Sequence, residues 1–139
     1  MKNKLLRTLN VVALSVGALL LSGQSHASVT NDLIIEYQKS GAQQPNLENA
    51  RQLWSQKYVD KRGEKTRSCA SCHTENLRSS GKHVRTNKVI EPLAPSINSE
   101  RLTDAKKIEK WFKRNCKWTF GRECSPQEKR DFLSYILNQ

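Results

Sequence analysis

The stretch Cys69-Ala70-Ser71-Cys72-His73 decides how the rest of this 139-residue sequence is interpreted. Two thiols one helical turn apart can add to the two vinyl groups of one porphyrin, and the adjacent histidine can then bind the iron. The motif therefore predicts one covalently attached haem c, with Cys69 and Cys72 as the thioether positions and His73 as the proximal iron ligand. Three alternatives are a thioredoxin-like dithiol, a zinc site that uses Cys69, Cys72, His73 or His83, and a chance occurrence of the motif. The dithiol requires a βαβ context, which the sequence lacks.

The N-terminus has the features of an export signal. A basic start precedes an apolar run over residues 11–21, and Ser25-His26-Ala27 offers a small-x-small cleavage site. We predict that residues 1–27 are a cleaved signal peptide, that residues 28–139 form one monohaem cytochrome c domain, and that the protein is periplasmic. The apolar run is too short to span a bilayer, so no membrane insertion is expected.

The composition is strongly basic. The chain has 24 lysines and arginines against 13 acidic residues, a formal charge of +11, and loss of Lys2, Lys4 and Arg7 with the signal peptide would leave +8. Export argues against a nucleic-acid partner, so we expect an acidic protein or an anionic surface to meet this charge. A merely solvated charged surface is the alternative. The protein is expected to be a monomer.

Helical periodicity occurs in four places, and no strand pattern competes with it, which predicts an all-α fold. The predicted helices begin near Thr30 or Asn31, at Asn46, at Thr103 and at Ser125. The second extends its apolar spacing to Tyr58, and the fourth opens with the capping-box sequence Ser125-Pro126-Gln127-Glu128. Residues 57–68 and 74–102 are expected to be loops, the second of which would wrap the cofactor.

Two further cysteines, Cys116 and Cys124, lie eight residues apart. In an exported protein they can form a disulfide, the alternative being two buried thiols. A bridge would hold the end of the third helix immediately after Asn115.

The ligand on the other side of the iron is not a methionine, because the only methionine is Met1. His83, a lysine that has lost its proton, an asparagine and an open site remain. Asn115 continues the apolar face of Ile108 and Phe112, so its amide should point into the core. There it could bind the iron or simply cap the end of its helix, and the residues themselves leave both possibilities open.

From about Leu33 onward the chain resembles the sphaeroides haem protein family of oxygen-binding class I c-type cytochromes. The resemblance rests on four strings: Cys69-Ala70-Ser71-Cys72-His73-Thr74, Val89-Ile90-Glu91-Pro92-Leu93-Ala94-Pro95-Ser96, Glu109-Lys110-Trp111-Phe112-Lys113-Arg114-Asn115-Cys116 and Gly121-Arg122-Glu123-Cys124. It implies a small class I cytochrome c-like fold of about four helices around one haem.

The resemblance also implies roles for individual residues. Asn115 would be the distal ligand of ferric iron and would leave on reduction, and Cys116 and Cys124 would be disulfide-bonded. One departure is Thr86-Asn87-Lys88, where the family tends to have Thr-Gly-Lys. Asparagine is the best non-glycine substitute where the backbone is left-handed, so the departure leaves the fold unaffected and puts only the geometry of that turn in question.

The function implied is a periplasmic cytochrome that binds oxygen or nitric oxide when reduced. Its electron-transfer partners would be a dihaem cytochrome c and a membrane b-type cytochrome. A plain electron carrier with His/His or His/Asn ligation and no physiological gas binding is the alternative. Whether a bound ligand is turned over stays open, and no catalytic residue is assigned.

Overall fold

The fold was analysed in a computed structural model, which describes residues 24–59, 63 and 65–139. Most of the predicted signal peptide, residues 1–23, lies outside the described residues. The helices are α1 Gln24–Lys39, α2 Leu47–Ser55, α3 Ala70–His73, α4 Ala105–Phe120 and α5 Pro126–Leu137. Two short antiparallel hairpins pair β1 Tyr58–Val59 with β2 Thr66–Arg67, and β3 Gly81–Lys82 with β4 Val89–Ile90.

Helix α1 begins earlier than predicted. Thr30 and Asn31 lie inside the helix and do not cap it, and the Thr30 side chain is buried. The residues of the predicted cleavage site, Ser25-His26-Ala27, belong to the same helix. Thr30 and Asn31 have side chains that can cap a helix, but they do not mark its start, because the helical backbone continues on both sides of them.

Helix α2 confirms its predicted start but is shorter than its apolar spacing indicates. The Asn46 side chain accepts a hydrogen bond of 2.8 Å from the backbone N–H of Asn49, as expected of an N-cap. At the other end the backbone of Gln56 is extended, so the helix stops at Ser55. The predicted extension to Tyr58 is therefore wrong, and Tyr58 lies in strand β1.

Helices α4 and α5 carry the clearest terminal signals. Asp104, and not Thr103, caps α4 by accepting a bond of 3.1 Å from Lys107 N–H. The helix ends at Phe120, and Gly121 follows it in the left-handed conformation. The capping box at the start of α5 is confirmed, since Ser125 and Glu128 bond each other's backbone N–H groups. Because α4 continues to Phe120, Asn115 is not at its end, and the expectation that the helix stops just after Asn115 is wrong.

Helix α5 lies at the centre of the packing, against both α1 and α2. One core cluster joins Trp54 of α2 to Phe132 and Ile136 of α5, and a second joins Leu33 of α1 to Leu133. The predicted all-α fold is confirmed, because the strands are only two residues long and the helices supply the core. Within the described part of the chain, no helix is long and apolar enough to cross a membrane.

Candidate haem site

A cavity of about 910 Å³ opens between the motif helix, helix α4 and the β3–β4 hairpin. Cys69, Cys72 and His73 border it, and α4 contributes Ile108 and Phe112 to its apolar wall. Its volume lies at the upper end of the usual range for ligand pockets, so it is large enough for a porphyrin. The three residues that the motif predicts to act together are therefore brought to one cavity.

The motif helix α3 is a single turn whose two ends are defined locally. At its start, the hydroxyls of Ser68 and Ser71 each accept a hydrogen bond of 3.1 Å from the other residue's backbone N–H. At its end, Thr74 donates its N–H to Ala70 and then adopts a positive φ of 62°, which terminates the helix. This turn separates Cys69 from Cys72 by one helical turn, the spacing that two vinyl groups require.

Trp54 of α2 holds the end of this turn in place. Its buried indole Nε1–H donates a hydrogen bond of 2.8 Å to the carbonyl oxygen of Thr74, and its ring centroid lies 5.9 Å from that of His73. Periodicity identified Trp54 only as one apolar position of α2. Its positioning role could not be read from the sequence, because Thr74 is 20 residues away.

The His73 ring borders the cavity in a form suited to binding a metal. Burial, helped by the nearby positive charge of Arg101, lowers the pKa of His73 to about 4. The imidazole is therefore neutral at pH 7 and has a free lone pair. Its buried Nδ1 has no hydrogen-bond partner among the described residues.

The first motif cysteine, Cys69, does not have the chemistry of a dithiol nucleophile. Both motif cysteines are unpaired, and burial raises the pKa of the Cys69 thiol to about 12. A dithiol oxidoreductase needs the opposite shift, because the thiolate is its nucleophile. Among the described residues, no group of three or more histidine, cysteine or acidic side chains is arranged to hold a metal ion.

All three kinds of side-chain candidate for the distal ligand border the cavity, since Lys88, Lys107 and Lys117 line it together with Asn115 and His83. Asn115 reaches it from α4, and His83 reaches it from the turn of the β3–β4 hairpin. The expectation that Asn115 is buried in the core is not met, since the side chain is exposed where it faces the cavity. Trp111, one helical turn before Asn115, is 50% exposed and lines the same cavity. The guanidinium carbon of Arg114 lies 5.1 Å from the Trp111 ring centroid.

A disulfide joins Cys116 to Cys124, with their Cα atoms 5.5 Å apart. Both cysteines are buried, and the alternative of two buried thiols does not hold. The bridge starts from the residue after Asn115 and ties α4 to the segment just before α5. The disulfide therefore fixes the part of α4 that contains Asn115 relative to the segment before α5.

The turn at Thr86-Asn87-Lys88 has the left-handed backbone that glycine would favour. Asn87 has a φ of 57°, in the region that asparagine tolerates better than most non-glycine residues. The turn brings Thr86 and Lys88 to the cavity together with His83. Replacement of the family's usual glycine thus leaves the hairpin intact.

An all-α fold with a haem-sized cavity, two thiols one turn apart and a neutral histidine defines the class of c-type cytochromes. Comparison with known proteins agrees. Residues 40–136 match the family described as "Domain of unknown function (DUF1924)". The chain is 36% identical over 121 residues to the cytochrome c-type protein SHP of Cereibacter sphaeroides, covering 86% of this chain and 92% of that protein. It is 34% identical over 134 residues to cytochrome c'' of Methylophilus methylotrophus, covering 91% and 92%.

Solved structures give the same relationship. Oxidized SHP, described as an oxygen binding cytochrome c, superposes with a TM-score of 0.72 at 36% identity, over 79% of this chain and 96% of that one. The solution structure of cytochrome c'', described as giving insights into haem-ligand detachment, has a TM-score of 0.73 at 33% identity, over 81% and 95%. The chain belongs to the DUF1924 family and is a monohaem c-type cytochrome related to the sphaeroides haem protein, with covalently bound haem c as its cofactor.

Proposed function

We propose that this protein is a periplasmic cytochrome whose distal ligand Asn115 yields its place to a small diatomic molecule when the iron is reduced. The observation that carries the proposal is that Asn115 and the Cys69 to His73 motif border one cavity, from two different helices. In this proposal Cys69 and Cys72 form the thioethers, and His73 is the proximal ligand. Bound haem supplies an iron centre that changes its charge by one electron and accepts one further ligand.

Asn115 is suited to a reversible role. A neutral carboxamide is a weak ligand, so it holds ferric iron marginally and competes poorly at ferrous iron. Once displaced, its amide N–H group can donate a hydrogen bond to the incoming ligand. The relatives support this, since one is described as oxygen binding and the other in terms of haem-ligand detachment.

Export and electron exchange complete the proposed function. Residues 1–27 direct the chain to the periplasm, and residues 28–139 form the working domain. A dihaem cytochrome c and a membrane b-type cytochrome are the proposed electron-transfer partners. Lys106, Lys110 and Lys113 are exposed on α4, next to the helix surface that borders the cavity, and provide a basic face for an acidic partner.

The test is visible spectroscopy of ferric, ferrous and carbon monoxide-treated protein, with Asn115→Ala beside the wild type. When Asn115 occupies ferric iron, an external ligand can bind only during the fraction of time that the site is open, and its apparent affinity falls to that fraction of the intrinsic value. Asn115→Ala should therefore bind ferric azide more tightly, about tenfold if the native site is nine-tenths filled, while carbon monoxide affinity of the ferrous form changes far less. Ferrous protein that does not bind carbon monoxide would identify a plain electron carrier.

A further inference from the structure

The ring of His83 is held by the turn in which it lies. In the β3–β4 hairpin, the His83 backbone N–H donates to Lys88 at 2.9 Å, and the Asn87 N–H donates back to His83 at 2.9 Å. The side chain folds over this turn, where Nδ1 accepts hydrogen bonds from the backbone N–H groups of Arg85 at 3.3 Å and Thr86 at 3.2 Å. The Thr86 hydroxyl lies 3.1 Å from the same nitrogen.

These contacts assign the tautomer of the ring. A backbone N–H can only donate, so an Nδ1 that receives two of them carries no proton itself. The proton of the neutral imidazole is then on Nε2, which is a hydrogen-bond donor. Iron ligation through Nε2 would require the tautomer that has its proton on Nδ1, and that proton would face two backbone N–H groups. Ligation through Nδ1 would break all three hydrogen bonds that this nitrogen makes.

The location of the hairpin limits where His83 can reach. Gly81 packs directly against the carbonyl of Cys72 and the Cα of His73. His83 is two residues further along, about 7 Å of extended chain, so its backbone stays beside the motif helix. The ring borders the cavity, and among the described residues no group accepts a hydrogen bond from Nε2.

We propose that His83 is a positioning residue for the cofactor, whose Nε2–H donates a hydrogen bond to a propionate carboxylate of the haem. The propionates are the only anionic groups that a porphyrin of this kind brings into the cavity. The charged residues that border the cavity are mostly cationic, so its lining suits a carboxylate. The cationic ones are Lys88, Arg101, Lys107, Arg114 and Lys117, and the acidic ones are Glu91, Glu100 and Asp104. Arg101 uses its Nε–H and one Nη2–H on the carbonyls of Pro92 and Glu91, at 2.9 and 2.7 Å, whereas the hydrogen bonds that the His83 ring makes among the described residues engage only its Nδ1.

Two substitutions separate this role from that of a turn cap. His83→Asn places an amide oxygen where Nδ1 stands, and asparagine can accept the same turn N–H groups, but it lacks the donor that reaches the cavity. His83→Gln extends an amide N–H toward the position of Nε2 but fits the turn less well. Both are compared with wild-type holoprotein of equal covalent haem content, by equilibration with a redox dye at pH 7.

A hydrogen bond to a propionate offsets negative charge that would otherwise favour ferric iron, so its loss favours the ferric state. His83→Asn should raise the ferric-to-ferrous ratio about threefold, because only part of such a bond's strength differs between the two oxidation states. His83→Gln should stay closer to the wild type. Nitrogen-15 NMR of the holoprotein should show a protonated Nε2 and a bare Nδ1.

Three results would overturn the proposal. An unchanged redox ratio in His83→Asn would make His83 a turn cap only. A protonated Nδ1 would contradict the tautomer assignment. Conversion of the ferric spectrum to a high-spin form by His83→Asn would make His83 an iron ligand. The first two outcomes do not depend on whether Asn115 is the distal ligand, whereas the third would also exclude Asn115 from that position.

Discussion

The Cα atom of Gly81 lies so close to the carbonyl oxygen of Cys72 that a Cβ atom added to Gly81 would overlap both atoms of that carbonyl. The close approach joins the β3–β4 hairpin to the motif helix through two backbones, with no side chain between them. Neither backbone can relieve an overlap by changing a rotamer. The hairpin, with His83 and Lys88, is thereby held beside the residues that attach the haem.

Replacement of Gly81 by alanine should therefore destabilise the holoprotein by about 1–3 kcal/mol, the usual cost of overpacking a filled site. The cost is steric, since the φ of Gly81 lies outside the left-handed region. Chemical denaturation monitored by the haem absorption band measures it. Ser80→Ala, an exposed neighbour, is the control and should leave the stability unchanged. Wild-type stability in Gly81→Ala would mean that the hairpin is free to shift away from the motif.

Covalent attachment should require both motif cysteines. The double substitution Cys69→Ser, Cys72→Ser should abolish covalent haem, since a hydroxyl does not form the thioether, and each single substitution should leave at most one bond. Haem staining after denaturing electrophoresis measures this. Cys116→Ser with Cys124→Ser is the matched control, because it also removes two sulfurs but should keep the stain. Normal staining of the motif double variant would refute the attachment site.

The disulfide should matter to Asn115 as well as to stability. A loop of eight residues is worth about 2–3 kcal/mol in chain-entropy terms, so Cys116→Ser with Cys124→Ser should lose stability of that order. Because Cys116 is the residue after Asn115, the same variant should also bind ferric azide more tightly, in the direction of Asn115→Ala. Azide titration monitored by absorption measures the second effect. Lost stability with unchanged azide affinity would show that the bridge does not position Asn115.

The basic face of α4 should control the rate of electron transfer with an acidic donor. Exposed charges act over about 10 Å at 0.1 M salt, so the rate should fall as ionic strength rises. Reversing Lys106, Lys110 and Lys113 to glutamate should slow the reaction at low salt and flatten its salt dependence. Lys117, also on this face, should contribute less, because Glu123 pairs with it at 3.0 Å.

Charge reversal at Lys39, Lys57 and Lys65 is the matched control, since it changes the net charge by the same amount and all three lysines are exposed residues outside α4. Stopped-flow kinetics with the reduced donor compares the variants. Equal effects of the two sets would point to net charge alone, and a rate independent of salt would leave the α4 lysines as a solvated surface.

Features that depend on a few consecutive residues could be predicted. The capping box at Ser125 and Glu128 and the cap at Asn46 follow from hydrogen bonds that span three residues. The same logic failed at Thr30, because capping chemistry is present wherever threonine occurs, while a helix start also requires the backbone to leave the helix. It failed again at Tyr58, whose apolar spacing continues past the extended backbone of Gln56.

The sequence by itself determined the haem motif, the all-α class and the pair of cysteines available for a bridge, because each depends on spacing along the chain. Only the tertiary structure decided that Asn115 and His83 share a cavity with the motif, that Trp54 holds the Thr74 carbonyl, and that Gly81 closes on Cys72. Each of these contacts is made between segments that are separated along the chain and meet only when it folds. Their distances are set by how the helices pack, and packing depends on the whole core at once.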